Sequence, residues 1–288
     1  MKAFSETELR SLVSLLDEDD PQNLDRIQRD ILEAGAPAIP YLDELRGRAQ
    51  PDVTARVDAL ARRLHFHGLR EDFRRLAAAP DLEQGVWLVA RFGYPDTDPV
   101  ECRGRLDALA DEVRRSLPAD APPAQALQQL SSHLFADMGF CGNEKHYYDP
   151  DNSYLNRVIE NRRGIPVSLS VLYLLVGRRL GLPVYGVATP GHFLIGVRLG
   201  PRTSYLDAYN KGRILTLADV QSMLSRGGYE FRPEFVAPAG PRDILARMMR
   251  NLVAIYQKAA QPERAEMLSS LVDTLLMTRP APPAAREP

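Results

Sequence analysis

An α+β fold, with three or more antiparallel strands set among helices, follows from three features of the sequence. Up to Arg179, apolar residues recur mostly at helical spacing. Between Pro183 and Tyr209 the pattern changes to short apolar runs separated by Pro, Gly and Thr, as strands joined by turns require. Helical spacing then returns at Leu217–Leu224 and again at Asp243–Tyr256.

Each element has its own signal. Ser5-Glu6-Thr7-Glu8 is a capping box, in which Ser5 accepts an amide hydrogen and Glu8 reaches back to the cap; Leu9, Leu12, Val13, Leu15 and Leu16 follow at helical spacing. Asp20-Pro21 starts a second helix, striped by Leu24, Ile27, Ile31 and Leu32 and closed by Gly35. Ala38-Ile39-Pro40-Tyr41-Leu42 opens a third. This stretch resembles a HEAT-type helix pair, and residues 51–76 offer a weaker second copy through Val53, Val57, Leu60 and Leu64, then Leu69, Phe73 and Leu76. Two such units are too few for a solenoid, so residues 1–94 read as a helical layer packed on something else. Leu106, Leu109, Ala110, Val113 and Leu117 mark a further helix, and Leu127, Leu130, Leu134 and Phe135 another. Val184–Val187, Phe193–Val197 and Tyr205–Tyr209 read as the three strands. The last two helices, 243–257 and 262–277, space Leu252, Tyr256 and Ala265 as a tetratricopeptide repeat does. Residues 280–288 hold four prolines and no apolar pattern, so a disordered tail is expected there.

Composition narrows the function. Lys and Arg total 36 against 38 Asp and Glu, a net charge of −2, which gives no electrostatic footprint for nucleic acid or an anionic membrane. Cys102 and Cys141 lie far apart and outside any C-x-x-C spacing, so neither a disulfide framework nor a thiolate metal site is expected. The first ten residues carry Lys2, Glu6, Glu8 and Arg10 without an apolar core, so no signal peptide is expected. The apolar run at Val171–Val176 is far short of the roughly twenty residues of a membrane span. These features together predict a cytoplasmic protein without cofactor or metal.

No Gly-rich phosphate loop, H-E-x-x-H or G-x-S-x-G occurs. Asp149, Asp151, Ser153 and Glu160 fall at calcium-loop positions, but Tyr154 stands where that turn demands glycine. The stretch from Arg162 to Tyr173 carries more information. Gly164 closes one helix, Pro166 suits the first turn of the next, and that helix is apolar nearly all round until Arg178-Arg179. It should therefore be central and buried. Downstream, Pro190-Gly191-His192-Phe193 begins the second strand and Asp207 lies on the third. A helix start facing a strand-borne His and Asp is how Cys-His-Asp sites are built: the helix N-terminus lowers the thiolate pKa, His takes the proton, and Asp orients the ring.

Residues 131–213 resemble the SirB-type branch of the transglutaminase-like superfamily. The likeness is carried by Gly139-Phe140-Cys141-Gly142-Asn143, Tyr147-Tyr148-Asp149-Pro150, Asn152-Ser153-Tyr154-Leu155-Asn156 and Arg163-Gly164-Ile165-Pro166-Val167-Ser168-Leu169-Ser170. Arg179–Pro183, Pro190–Leu194 and Asp207–Gly212 follow in order. The resemblance implies a transglutaminase-like (papain-like cysteine proteinase) core at 95–240, a C-terminal tetratricopeptide-like hairpin at 241–279, a catalytic His at His192 and a catalytic Asp at Asp207. It also implies binding roles for Asn152, Tyr154, Asn156, Arg163 and Asn210.

The nucleophile does not carry over. In the superfamily it precedes the Leu-Gly-Leu/Ile-Pro helix end by about four helical turns, which places it on Pro166. Proline has no nucleophile, so thiol acyl transfer is not expected. Ser168 and Ser170 lie close enough in sequence to substitute, although serine near a helix start is usually a cap or a back-bonding group. Cys141 takes a position that is commonly basic in this branch, so the resemblance makes it incidental. A hairpin turn at Gly200–Thr203 would set Asp207 opposite Gly196, leaving His192 about 13 Å away along the strand unless twist or a bulge closes the gap. The expectation is a catalytically degenerate member that keeps His192 and Asp207 and binds a peptide or protein segment in the ancestral cleft, in a regulatory role. The competing expectation is an active hydrolase or acyl transferase that uses Ser168, Ser170 or Cys141 with His192 as base. Oligomeric state stays open, as does whether Tyr147, Tyr148 and Tyr185 line the cleft or fill the core.

Overall fold

The computed structural model describes residues 4–18, 20–200 and 202–277, so the tail expected at 280–288 lies outside the described residues. The chain divides into two compact units, 1–75 and 76–288.

The first unit holds α1 (Glu6–Ser14), α2 (Pro21–Ala34), α3 (Ile39–Arg46) and most of α4 (Pro51–Ala78). Ser5 accepts from the Glu8 amide at 3.3 Å, and the Glu8 carboxylate receives the Ser5 amide at 2.7 Å, completing the capping box. Asp20 caps α2 through the Gln22 and Asn23 amides at 2.8 and 3.1 Å. Gly35, at φ +75°, ends that helix in a conformation most side chains resist. The apolar stripes meet in one core that includes Leu9, Leu16, Ile31, Leu42, Val57 and Leu60. Where the sequence suggests a second helix pair at 51–76, α4 runs unbroken for 28 residues. Gly68 is the only helix-weakening residue in its middle, and a lone glycine costs about 1 kcal/mol, too little to break a helix that buries apolar residues on both sides of it.

The second unit begins with α5 (Leu82–Gly93), α6 (Pro99–Arg115) and α7 (Pro123–Ser131), the last continuing into a π-helical turn at Ser132–Asp137. Next come β1 (Cys141–Gly142), α8 (Leu155–Asn161), β2 (Arg163–Gly164) and α9 (Pro166–Arg179). β3 (Val184–Val187), β4 (Leu194–Leu199), β5 (Arg202–Asp207) and β6 (Arg213–Leu215) follow, then α10 (Leu217–Arg226), β7 (Pro238–Ala239), α11 (Pro241–Lys258) and α12 (Pro262–Met277). The expected helical layer at 1–94 is thus divided: α5 packs on α8 and α11 within the second unit.

β3 to β7 form one antiparallel sheet in the order β6-β5-β4-β3-β7. α9, buried from Pro166 through Gly177, packs on β3 and β4, with α6, α8 and α11 also against it. α10 covers the other face, where Val187, Leu194, Tyr205 and Leu215 meet Val220 and Leu224. β1 and β2 form a separate two-residue parallel pair, Cys141 beside Arg163 and Gly142 beside Gly164. This short ladder fixes the loop before α8 against the chain entering α9.

Candidate active site

The hairpin register brings the two expected site residues together. β4 pairs with β5 as Leu199↔Arg202 and Ile195↔Leu206, so the connection is two residues long rather than the four expected at Gly200–Thr203. Gly200 adopts φ +70°, which permits the tight reversal. The shift moves Asp207 from the level of Gly196 to that of Leu194, and no bulge at Gly196 is needed. His192 sits just before β4, on a turn rather than on the strand. Thr189-Pro190-Gly191-His192 is a type II turn: proline takes the second position, Gly191 has φ +71°, and the His192 amide donates to the Thr189 carbonyl at 3.3 Å.

His192 Nε2 lies 3.0 Å from Asp207 Oδ1. The ring is turned so that this close contact lacks hydrogen-bond alignment, making it an electrostatic pairing rather than a well-directed bond. Asp207 is only 3% exposed. Asn210 supports it with its amide nitrogen, 3.2 Å from Oδ1, and its Nδ2, 2.7 Å from Oδ2. Burial alone would raise the Asp207 pKa; His192 and the two Asn210 donors outweigh it and hold the carboxyl below its ordinary range. Nε2 is the imidazole nitrogen nearest Asp207.

The start of α9 carries a proline and two serines but no thiol. Pro166 occupies the first helical position. Ser168 is fully buried; its Oγ donates toward the Asn152 carbonyl at 2.5 Å and accepts the Ile165 amide at 3.0 Å. It closes the helix end and ties it to the segment before α8. Ser170, also fully buried, has an Oγ without a hydrogen-bond partner. Cys141 is a half-buried free thiol on β1.

Tyr209 joins these parts, and sequence reasoning gave it no role. Its carbonyl accepts the Gly142 amide at 3.1 Å, and its ring lies over Gly142 so closely that a Cβ there would come within 2.4 Å. Asn143 in turn donates its amide to the Gly164 carbonyl at 3.1 Å. The Tyr209 ring stands edge-on to His192 at 6.2 Å, and to Tyr147 at the same distance. Tyr147 meets Tyr148 at 5.3 Å, and Lys258 Nζ sits 3.4 Å above the Tyr148 ring. Burial raises the pKa of Tyr147, partly opposed by nearby Arg247. Burial also raises that of Tyr209, helped by Tyr147, Glu144, Cys141 and Asp207.

The residues assigned binding roles are dispersed. Asn152 is buried and donates Nδ2 to the His146 carbonyl at 2.7 Å, while its Oδ1 accepts from Asn143 at 3.0 Å, bracing the loop that carries Tyr147 and Tyr148. Tyr154 is 1% exposed and bonds the Tyr256 hydroxyl at 2.7 Å inside the core. Asn156 reaches Thr97 Oγ1 at 3.5 Å. Arg163 bonds the Gly139 and Arg162 carbonyls at 3.1 and 3.0 Å. Among these five, only Asn210 touches the His192–Asp207 pair. Behind Asp207 and Asn210, on the α10 side, lies a pocket of about 250 Å³ that Arg213, Asp219, Met223 and Arg226 also line. The carboxylates of the calcium-like spacing are engaged elsewhere: Asp151 and Glu160 both pair with Arg157. No cluster of three or more His, Cys, Asp or Glu suited to a metal occurs among the described residues.

The family model described as the transglutaminase-like superfamily matches residues 101–250, just over half the chain. The chain belongs to the transglutaminase-like superfamily. A UPF0162 protein of Xylella fastidiosa (strain Temecula1) is 33% identical over 202 residues, 67% of this chain and 71% of that protein. A UPF0162 protein of Pseudomonas aeruginosa is 30% identical over 183 residues, 62% of this chain and 66% of its own. Human F-box only protein 21 is 28% identical over 165 residues, 54% of this chain but only 26% of that protein. No solved structure matches the chain. Within this transglutaminase-like domain, His192 and Asp207 lie side by side, and Pro166 is the first residue of α9. No helix among the described residues is long and apolar enough to cross a membrane.

Proposed function

We propose that this protein is a catalytically degenerate, SirB-type member of the transglutaminase-like superfamily. It binds a peptide or protein segment at the cleft beside His192 and Asp207, in a regulatory role in the cytoplasm, with α11 and α12 as a tetratricopeptide-like cap. The observation that supports this reading is the first turn of α9. A nucleophile there would draw on the field of the helix N-terminus, yet the turn presents Pro166 and a Ser168 hydroxyl already engaged with Asn152 and Ile165. The tyrosines that line the approach to His192 are of the residue type that anchors protein recognition.

Two measurements test it. The full chain is treated with a serine-directed fluorophosphonate and a thiol-directed iodoacetamide, and labelling that depends on His192 is sought. None is expected; stoichiometric labelling of Ser168, Ser170 or Cys141 that disappears in His192→Ala would establish the hydrolase or acyl-transferase reading instead. In parallel, peptides are selected from a random display library against the full chain. His192→Gln is expected to weaken a selected peptide about tenfold, or ~1.4 kcal/mol. Unchanged affinity in the folded variant would place binding away from the cleft and overturn the proposal.

A further inference from the structure

α11 turns one stripe of its surface toward the loop that carries Tyr147 and Tyr148. Arg247, Asn251, Ala254 and Lys258 recur at i, i+4, i+7 and i+11 and so share a helix face. All four keep exposed surface, whereas Leu245, Met249, Leu252 and Tyr256 are buried. Both ends of the stripe meet the tyrosines. The Arg247 guanidinium lies close enough to Tyr147 to oppose the rise of its pKa, and it approaches the His192 carbonyl at 3.5 Å. Lys258 Nζ sits 3.4 Å above the Tyr148 ring. The two rings, 5.3 Å apart, are 38% and 55% exposed, and Asn152 braces their loop through the His146 and Tyr147 carbonyls.

The charge on this surface is uncompensated. Arg157 and Arg179, comparably buried arginines of the same unit, each pair with two acids. Arg247 and Lys258 form no ion pair among the described residues, and the hydrogen bond of Arg247 to His192 is long. Of the acids nearby, Asp149 accepts the Asp151 amide at 3.0 Å, and Asp207 is held by His192 and Asn210. Neither Glu144, beside Tyr209, nor Asp243, one turn before Arg247 on α11, pairs with either cation. A half-buried guanidinium has five N–H donors to satisfy, and its planar fork matches a carboxylate. The whole chain carries a net charge of −2, so the cationic stripe is a local feature and not part of a general basic field. Eleven helical residues separate the two cations by about 16 Å, the reach of about five residues of extended chain.

We infer that Arg247, Lys258 and the rings of Tyr147 and Tyr148 form a docking surface for an acidic, extended segment of a partner protein, with carboxylates on the two cations and the backbone crossing the rings. This rests on the cleft-binding reading above and names the partner's chemistry. Two cations on a net negative chain supply too few phosphate contacts to hold nucleic acid.

The test measures fluorescence anisotropy of labelled twelve-residue probes added to the full chain: alternating Asp and Ala, the same peptide with Asn for Asp, and the same with Arg for Asp. The acidic probe should bind about ten times more tightly than the neutral one, and the basic probe should not bind. Arg247→Gln should weaken the acidic probe about tenfold and Lys258→Gln about threefold, in variants whose unfolding midpoint matches the wild type; Arg247→Lys, which keeps the charge and loses the fork, should fall between wild type and Arg247→Gln. Raising the salt from about 0.05 to 0.5 M should weaken the acidic probe several-fold. No measurable binding of the acidic probe, equal binding of all three, or binding untouched by Arg247→Gln overturns the proposal. Tighter binding of oligothymidylate than of the acidic probe overturns it in favour of nucleic acid. If a library-selected peptide binds through His192 while the acidic probe does not bind, the cleft reading stands and acidic docking fails; if neither binds, both fail.

Discussion

Asp207→Asn changes charge with almost no change in shape, so it measures what the buried carboxylate contributes. Asp207 receives two Asn210 donors, at 2.7 and 3.2 Å, and faces the imidazole at 3.0 Å. An ionised acceptor strengthens each hydrogen bond by about 1 kcal/mol over a neutral one, and the imidazole contact is too poorly aligned to add a full share. The substituted amide escapes the cost of burying a charge, which offsets part of the loss. The expected net loss is about 1–2 kcal/mol at pH 7, a fall of roughly 0.5–1 M in urea midpoint. Trp87, the single tryptophan of the chain, is buried in α5 and makes its fluorescence a report on the second unit. The pH dependence gives a second check. The folded-state pKa of Asp207 is depressed from its ordinary 3.8, so its contribution is fully present above that value and is lost as pH falls through the lower, folded-state pKa. The gap between wild type and variant should therefore hold steady from pH 7 to pH 5 and close only below 3.8. Equal midpoints at pH 7, or a gap that persists once the carboxyl is protonated, would refute the account of Asp207 as an ionised, supported group.

Further substitutions test the surrounding joints by the same fluorescence assay. Ser168→Ala removes the hydroxyl's two bonds but leaves the Ile165 amide donating to the Asn152 carbonyl at 3.3 Å, so it should cost about 1 kcal/mol; a neutral result would show that the hydroxyl adds nothing to that direct bond. Gly142→Ala drives a methyl into the Tyr209 ring and should cost about 1–3 kcal/mol, with a shift of the His192 ring resonances in NMR that a purely local clash would not produce. Tyr154→Phe strands the buried Tyr256 hydroxyl and should lower stability by about 1–2 kcal/mol, whereas Asn156→Ala should stay within about 1 kcal/mol because its one bond to Thr97 is long.

Local signals were legible where one side chain decides the outcome. Ser5 with Glu8, and Asp20 with Pro21, announce their helices because capping chemistry acts within four residues. The run from Pro166 to Gly177 announces a buried helix because no polar face interrupts it. The strands after Pro183 were visible, but β6 has only Arg213-Ile214-Leu215 and β7 only Pro238-Ala239, too short for a period-two pattern to register. Register was harder still. Whether Gly200 closes a two-residue or a four-residue turn depends on how the strands pack, and that choice sets the distance from His192 to Asp207. The Asn210 contact had a sequence signal, since an Asp with an amide three residues on suits an Asx-type turn. Tyr209 had none: nothing near it in the chain shows that Gly142, 67 residues earlier, leaves the space its ring fills.

On the proposed reading, the first turn of α9 is why a paired imidazole and carboxylate need carry no reaction. A helix start can serve stability or chemistry with the same few atoms. A thiol at the first position would use the unpaired amides and their positive field to hold a thiolate, and such a site must stay open to substrate. Here Pro166 removes one amide that would otherwise lack a partner, Ser168 accepts another from Ile165, and the turn is sealed beneath Asn152. The Tyr209 ring packs over Gly142 and stands edge-on to Tyr147. Asp207 and His192 keep structural work in this setting, since their contact links the Thr189–His192 turn to the end of β5. On the proposed reading, the exposed rings of Tyr147 and Tyr148, next to Tyr209, would suit an extended segment recognised by shape and stacking without any bond being broken.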